Sequence, residues 1–535
     1  MLNAIFIGLL ALVAYLVLRP GRPSDAPPSY GSRWLPSWPN GILAVARLGK
    51  EGNEDAFLSG LPRPAVFLPW PMNQYFITDG EAIRQAYAAP SSVLSFLPIR
   101  REMQGSAFGA VDYWKDKNIM EKGFFVTHAK GMSKTNLTAS LERFVVYVRG
   151  RLEELVARVD ASPSGETELN LGDFVADVFF RASCAGMFGP KVFEAKGTSV
   201  DEIRSAFDAF DKSFPIEASG LVPSWLLDRI PDVQEGRKAR EVLARTFEAW
   251  INDGFEGLEE GVVRDMAQVA LDNNLGSYEA GKMLVADFWA LHANAQFICT
   301  QLLIYFLQSP PSLRSAVQAE IDTSISIAAS SSHSEPFTFS HVAETLPLVG
   351  SCIVETLRLG TSTLSIRDVE KPFVIPAGKD KGEYVIPAGT RLVCATRIDH
   401  LDDARYDGNA GEWDGRRFFD GDEEGVPEEE KGWKSRRGNQ VYGFGGGISR
   451  CEGQHLATAE MKTFMALLFE SLDVELVSPR DDPDFANKYD LIKVQGVEQD
   501  GWKPKSLAGR VGMGAFQLRK ESPAMIRVRR RKQQT

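Results

Sequence analysis

Several common catalytic signatures are missing from this 535-residue chain, and each absence removes a class of function. No Gly-x-x-x-x-Gly-Lys-Ser or Gly-x-x-x-x-Gly-Lys-Thr loop occurs and no Gly-x-Gly-x-x-Gly follows a predicted strand, so phosphate and dinucleotide chemistry have no cradle. The glycine run at 443–447 continues Gly447-Ile448-Ser449-Arg450-Cys451 and lacks the second glycine of a serine-hydrolase elbow. The six histidines include no pair at i, i+4, which argues against a helical zinc site. Basic residues are outnumbered, 60 Lys and Arg against 71 Asp and Glu, so a basic surface holding nucleic acid is excluded. Cysteine is scarce. Five scattered residues make no disulfide framework and read as free thiols in a reducing compartment.

What is present is a large folded body, 44% hydrophobic and 10% aromatic, preceded by one long apolar run. Leu2 to Leu18 is uncharged and mostly aliphatic, at the short end of what spans a bilayer. Positive charge follows it at Arg19 and Arg22 rather than preceding it, and no Ala-x-Ala site is visible. Residues 1–18 therefore read as a retained transmembrane anchor, with the downstream chain cytosolic by the positive-inside rule. Residues 19–40, with Pro20, Pro23, Pro27 and Pro28, read as a stiff hinge, and 41–535 as one catalytic body without repeats or a second linker.

Within that body the periodicity predicts a mainly α fold with small β-sheets. Ala65–Leu68 and Gln74–Thr78 read as strands before a helix starting at Asp79, and helical periodicity dominates from about 135 to 320. The serine-rich stretch 323–335 reads as a loop between helices, as does the charged stretch from Asp420 to Arg437. Strand signals return at Phe373–Ile375, Tyr384–Ile386 and Leu392–Cys394.

Chemistry enters at the glycine run. In Phe444-Gly445-Gly446-Gly447-Ile448-Ser449-Arg450-Cys451-Glu452-Gly453, glycines let the backbone wrap around a sulfur and aim N–H groups at it, with a helix predicted from Gln454. Such donors favour thiolate, and a cysteinate bound to haem iron pushes electron density toward O–O cleavage. The segment resembles the haem-binding loop of the cytochrome P-450 superfamily, Phe-x-x-Gly-x-x-x-Cys-x-Gly, through Phe444, Gly447, Cys451 and Gly453. Leu456, Ala457 and Glu460 match the helix that follows the loop in that family.

Other landmarks resemble the family in order. Glu355-Thr356-Leu357-Arg358 puts a carboxylate and a guanidinium on one helix face, and the resemblance implies that Arg417 completes a buried triad serving folding and haem retention. Here Gly415 and Arg416 stand where the family usually has Pro and Glu. Arg367 is the first candidate for a haem propionate contact, since a planar cation suits a carboxylate. Ser449 occupies a position that is often basic, with Arg450 beside it. The early Trp-x-x-x-Arg motif is not evident, which leaves His128 or Lys130 as further propionate candidates.

The central helix departs most. Ser277 to Gln308 is predicted as one proline-free helix of roughly 45 Å. Its oxygen-side segment is Ala290-Leu291-His292-Ala293-Asn294, with Ala290, Ala293, Asn294 and Phe297 expected on one face. Most members carry an acid and an alcohol where this chain has Ala293 and Asn294. That substitution resembles the branch with sterol 7-alpha- and 12-alpha-hydroxylases and prostacyclin synthase. An amide can still orient water and donate a hydrogen bond.

The resemblance implies a haem-thiolate monooxygenase with haem b on Cys451 as the axial metal ligand, acting on an apolar small molecule such as a sterol, terpenoid or polyketide-like metabolite. Phe108, Ala290, Thr363–Ile366 and Gly512–Ala515 are expected around the distal pocket. Electrons would come from NADPH through a flavin reductase on the endoplasmic reticulum membrane. Lys431, Lys434, Arg436 and Arg437 are either its docking patch or a solvated loop balancing Glu428–Glu430. The alternatives are a haem-thiolate isomerase or dehydratase needing no external electrons, and a non-catalytic lipid-binding haem protein.

Overall fold

The computed structural model describes residues 25–32, 37–50, 54–110, 116, 118–190, 198–219, 222, 224–330, 337–378, 382–421, 438, 440–507 and 513–532. The predicted anchor 1–18, the start of the hinge, Gly512 and the segment holding Lys431, Lys434, Arg436 and Arg437 lie outside the described residues. The chain divides into two compact units. One comprises Met1–Ile99, Thr363–Asp399 and Gly447–Ser449, and the other Arg100–Ser362, His400–Gly446 and Arg450–Thr535.

The smaller unit is built on a sheet. Ala65–Leu68 pairs antiparallel with Gln74–Ile77, which runs parallel to Arg391–Ala395, itself antiparallel to the strand through Leu364–Asp368. Gln74–Ile77 is buried along its whole length because it has a strand on each side. Helix α1 (Gly80–Ala88) begins where Asp79 accepts the N–H groups of Glu81 and Ala82, and buries Ala82, Ile83, Ala86 and Tyr87. Phe373–Pro376 and Glu383–Ile386 form a separate hairpin with Phe373 opposite Ile386. The strands expected from periodicity are present.

The larger unit is mainly helical. Its elements include α2 (Leu97–Ser106, from Arg100 onward), α3 (Phe125–Gly131), α4 (Thr138–Ala161), α5 (Leu171–Met187), α6 (Val200–Ala218) and α7 (Pro231–Asn252). These are followed by α8 (Gly276–His292), α9 (Ala295–Leu307), α10 (Pro311–Ser330), α11 (Pro347–Gly360) and α12 (Gln454–Ser471). Helix α7 packs between α6 and α8, and α4 against α5. Gly281 of α8 makes the α7–α8 crossing close, since a Cβ there would lie 2.5 Å from the Ala244 carbonyl oxygen. A three-stranded antiparallel sheet, Leu472–Leu476, Met525–Arg530 and Glu166–Asn170, closes the C-terminal end.

Two expectations are corrected. The serine-rich stretch is helical as far as Ser330, because α10 buries Ile321, Ser324 and Ala328 on one stripe while Ser326 and Ser330 bond back to the carbonyls of Asp322 and Ile327. The central helix is two helices. Asn294 at φ −134°, ψ −47° leaves the helical region between α8 and α9. Gly276–Leu307 is also long and apolar enough to cross a membrane, but 72% of its most apolar window is buried in protein, which makes it a core element here.

Candidate functional site

Cys184, Cys299, Cys352 and Cys394 are buried in packed surroundings, while Cys451 is exposed. Among the five cysteines, that singles out one sulfur accessible to a ligand. The loop that presents it is fixed by its backbone: Cys451 N–H donates to the Phe444 carbonyl at 2.8 Å. Gly445 and Gly447 have φ of +71° and +64°, which favours glycine at both. At Gly447 a Cβ would also lie 2.1 Å from the Tyr87 carbonyl oxygen. Gly453 gives its backbone to the sulfur, standing 3.8 Å from Sγ at its Cβ position. Helix α12 then starts at Gln454, where the sequence pattern put it.

The expected thiolate is not favoured by the loop alone. Although Cys451 keeps an exposed face, desolvation by the surrounding protein raises its pKa more than the Gly453 and Gln454 N–H groups lower it. The donor set fits haem iron: a soft sulfur, accessible, at the mouth of a helix, with two N–H groups ready to share negative charge once a cation binds.

Around Cys451 lies a charge cluster that sequence reading did not find. His128 of α3 touches the Glu452 carboxylate and stands 3.7 Å from Asp287 of α8, while Arg100 of α2 is 3.9 Å from Glu452. Burial would lower the His128 pKa, but the two carboxylates outweigh it and raise it. Burial pushes Asp287 up to about 6. His128 is thus engaged by carboxylates of the protein rather than being a free cation for a propionate. Arg450 is half-buried beside the cysteine. In the smaller unit Arg367 is buried over the Tyr87 and Phe96 rings and donates to Ser365 Oγ and the Ile366 carbonyl, both at 2.8 Å.

Between Val285 and Leu307 the less buried positions are Asp287, Trp289, Ala290, Leu291, Asn294 and Phe297, and all but Trp289 follow one helical stripe. Ala293 does not share it. Its side chain is 2% exposed, packed into the core, which corrects its expected place on the open face. Asn294 Oδ1 accepts the Ala515 N–H at 2.9 Å, and Gly514 at φ +110° allows that approach, since a Cβ there would come within 2.5 Å of Oδ1. This cross-link accounts for the helix break: the side chain that would cap α9 reaches to the C-terminal segment instead.

Phe108 is buried among Phe210, Phe214 and Trp289, with the last two stacked at 3.9 Å. Beneath them Asp211 accepts both Trp289 Nε1 at 2.9 Å and Gln517 Nε2 at 3.0 Å, tying α6, α8 and the C-terminal segment together. Two residues before Asn294, His292 is 3.2 Å from Cys184 Sγ inside a ring cage, and burial drives its pKa down to about 3. It serves as a neutral core residue.

The structure also gathers the three ionic residues. Arg358 donates from Nε and Nη2 to the two oxygens of Glu355 at 2.7 and 2.8 Å, and Arg417 Nε reaches Glu355 Oε1 at 3.0 Å. Glu355 and Arg358 are fully buried. The remaining donors bond carbonyls of His400, Ala410 and Glu412 and the side chain of Asn409.

The sequence model of the family Cytochrome P450 matches residues 115–496. The chain belongs to this family. It is 27% identical over 347 residues to cytochrome P450 7A1 of Sus scrofa, covering 61% of this chain and 64% of that protein. It is 28% identical over 327 residues to cholesterol 7-alpha-monooxygenase of Cricetulus griseus, covering 57% and 59%. Over 337 residues it is 25% identical to prostacyclin synthase of Bos taurus, covering 60% and 64%. The matches thus span under two thirds of these relatives' own length.

Proposed function

We propose that the protein is a haem-thiolate monooxygenase that inserts one oxygen atom of O2 into an apolar small molecule. The observation that carries this reading is Cys451, an accessible sulfur in a glycine-built loop with two N–H groups directed at it. Haem b bound there supplies the oxidising chemistry. Cys451 would hold the iron through its sulfur, and the Gly453 and Gln454 N–H groups would stabilise the charge there. Asn294 has its oxygen committed to Ala515, so what it offers a ligand or water is its NH2 group. It acts as a hydrogen-bond donor rather than a source of protons. Glu355, Arg358 and Arg417 hold the fold on which the loop sits.

The aromatic set Phe108, Phe210, Phe214 and Trp289 suits a large apolar skeleton. Relatives named for cholesterol and steroid hydroxylation point the same way, toward sterols, terpenoids or similar metabolites. Electrons would come from NADPH through a flavin reductase, with residues 1–18 anchoring a cytosolic body 41–535 to the endoplasmic reticulum membrane.

The test is the carbon monoxide difference spectrum of the reduced protein, followed by turnover with NADPH and reductase. A red-shifted thiolate band lost in Cys451→Ala, with oxygenated product dependent on reductase, is the expected result. Turnover of a peroxide with no product from reductase and oxygen would replace this reading with an isomerase. A haem-loaded protein inactive in both assays would be a binding protein.

A further inference from the structure

We propose that Arg101, assisted by Gln104, forms a buried carboxylate-binding site on α2. The proposal deepens the haem-thiolate reading by naming a chemical group that the site receives. It starts from a repeated geometry. At two places among the described residues the Nε and Nη2 of an arginine bond the two oxygens of one carboxylate: Arg358 on Glu355 at 2.7 and 2.8 Å, and Arg397 on Asp55 at 2.8 and 2.9 Å. Arg101 has the same two nitrogens buried, and among the described residues neither has a hydrogen-bond partner. That fork matches a carboxylate in spacing and charge better than it matches a single water or a halide.

Gln104 supplies the second observation. It is 7% exposed, and its Oε1 is likewise buried without a partner among the described residues. Three residues on from Arg101 and four on from Arg100, it lies on the helix face that both arginines flank. Arg100 shows where that face looks, since its guanidinium sits over the Phe125 ring at 4.4 Å and 3.9 Å from Glu452, the residue after Cys451. Two adjacent buried polar groups without partners are costly, because a buried donor left unmade loses more than a made bond gains. A ligand carboxylate on the Arg101 fork, with the Gln104 amide beside it, removes both losses. The amide bonds either a neighbouring hydroxyl through its oxygen or, turned over, the carboxylate through its NH2 group.

Two molecules could bring that carboxylate to the cysteine loop: an apolar substrate ending in an acid, or haem through a propionate. Both are tested on the full-length protein with Arg101→Gln, Arg101→Lys and Gln104→Leu. Equilibrium dialysis measures dodecanoic acid against methyl dodecanoate, and transfer of haem to apomyoglobin measures retention. For a substrate acid, Arg101→Gln weakens dodecanoate binding by about tenfold or more and leaves the ester within about twofold, with haem transfer unchanged. For a propionate, haem transfer accelerates by about tenfold and the acid shows no preference over the ester. Arg101→Lys, which keeps the charge but loses the fork, falls between wild type and Arg101→Gln in whichever assay responds. Arg101→Gln with acid binding, ester binding and haem transfer all like wild type would overturn the proposal. So would a thermal destabilisation shared with Gln104→Leu and unaccompanied by any ligand effect. The carbon monoxide band of the wild type reports separately on the haem-thiolate reading, and dialysis of dodecanoate judges Arg101 even if that band is absent.

Discussion

The surroundings of Glu355 and of Cys451 both gather charge, backbone donors and a helix terminus, yet they are finished to different degrees. Around Glu355, two guanidiniums and the Asp414 N–H converge on one carboxylate, and the spare nitrogens of Arg358 and Arg417 end on backbone carbonyls and the Asn409 side-chain oxygen. Around Cys451 the sulfur is accessible, and Arg101 and Gln104 keep buried polar atoms without partners among the described residues. The first region is complete from its own residues and behaves as scaffold. The second keeps polar capacity unused among the described residues, which is why saturation of buried polar groups separates support from site better than charge does.

Substitution breaks this comparison most sharply at Glu355. Glu355→Ala leaves two buried guanidiniums facing each other, and the expected cost is about 3–5 kcal/mol. Denaturant unfolding measures it, and a midpoint like that of wild type would refute the scaffold role. At Asn294 the expected effect is smaller. Asn294→Ala strands the Ala515 N–H and should cost about 1–2 kcal/mol, whereas Asn294→Asp keeps an acceptor and most of that stability. Equal losses in the two variants would show that the cross-link to Ala515 is not what holds the break. Cys451→Ala should cost the apo protein no more than about 0.5 kcal/mol, because the sulfur is exposed, while abolishing the thiolate band entirely. A large loss of apo stability there would make Cys451 a packing residue.

Much of this architecture was legible in advance because it rests on local patterns. The cysteine loop announces itself through glycines whose positive φ restricts the residue, the Asp79 cap through its place before an amphipathic run, and the Glu355–Arg358 pair through i, i+3 spacing. The break at Asn294 was not legible, because its cause is a bond to Ala515, 221 residues away in sequence. The same holds for Asp211, whose partners Trp289 and Gln517 come from distant segments, and for His128, whose carboxylates lie on α8 and the cysteine loop. The helical serines of α10 were misread because residue type suggested a loop, while the buried stripe through Ile321, Ser324 and Ala328 decided the outcome.

The smallest predicted effect sharpens the comparison by changing only charge. Glu460 of α12 is a second buried carboxyl group, but where Glu355 has two arginines it has only the Ser183 hydroxyl at 3.1 Å, with Cys184 nearby. Burial pushes its pKa up from 4.5 to about 8. Between those values the folded protein keeps a proton that the unfolded chain releases, so the folded state binds more protons and stability falls as pH rises through the window. Glu460→Gln keeps the shape and the acceptor for Ser183 but has no proton to lose. Its melting temperature should therefore match wild type near pH 5 and exceed it near pH 8.5, with a flatter profile between. Parallel profiles would assign the loss to another group, and a variant less stable at every pH would mean that this carboxyl is held charged in the folded protein.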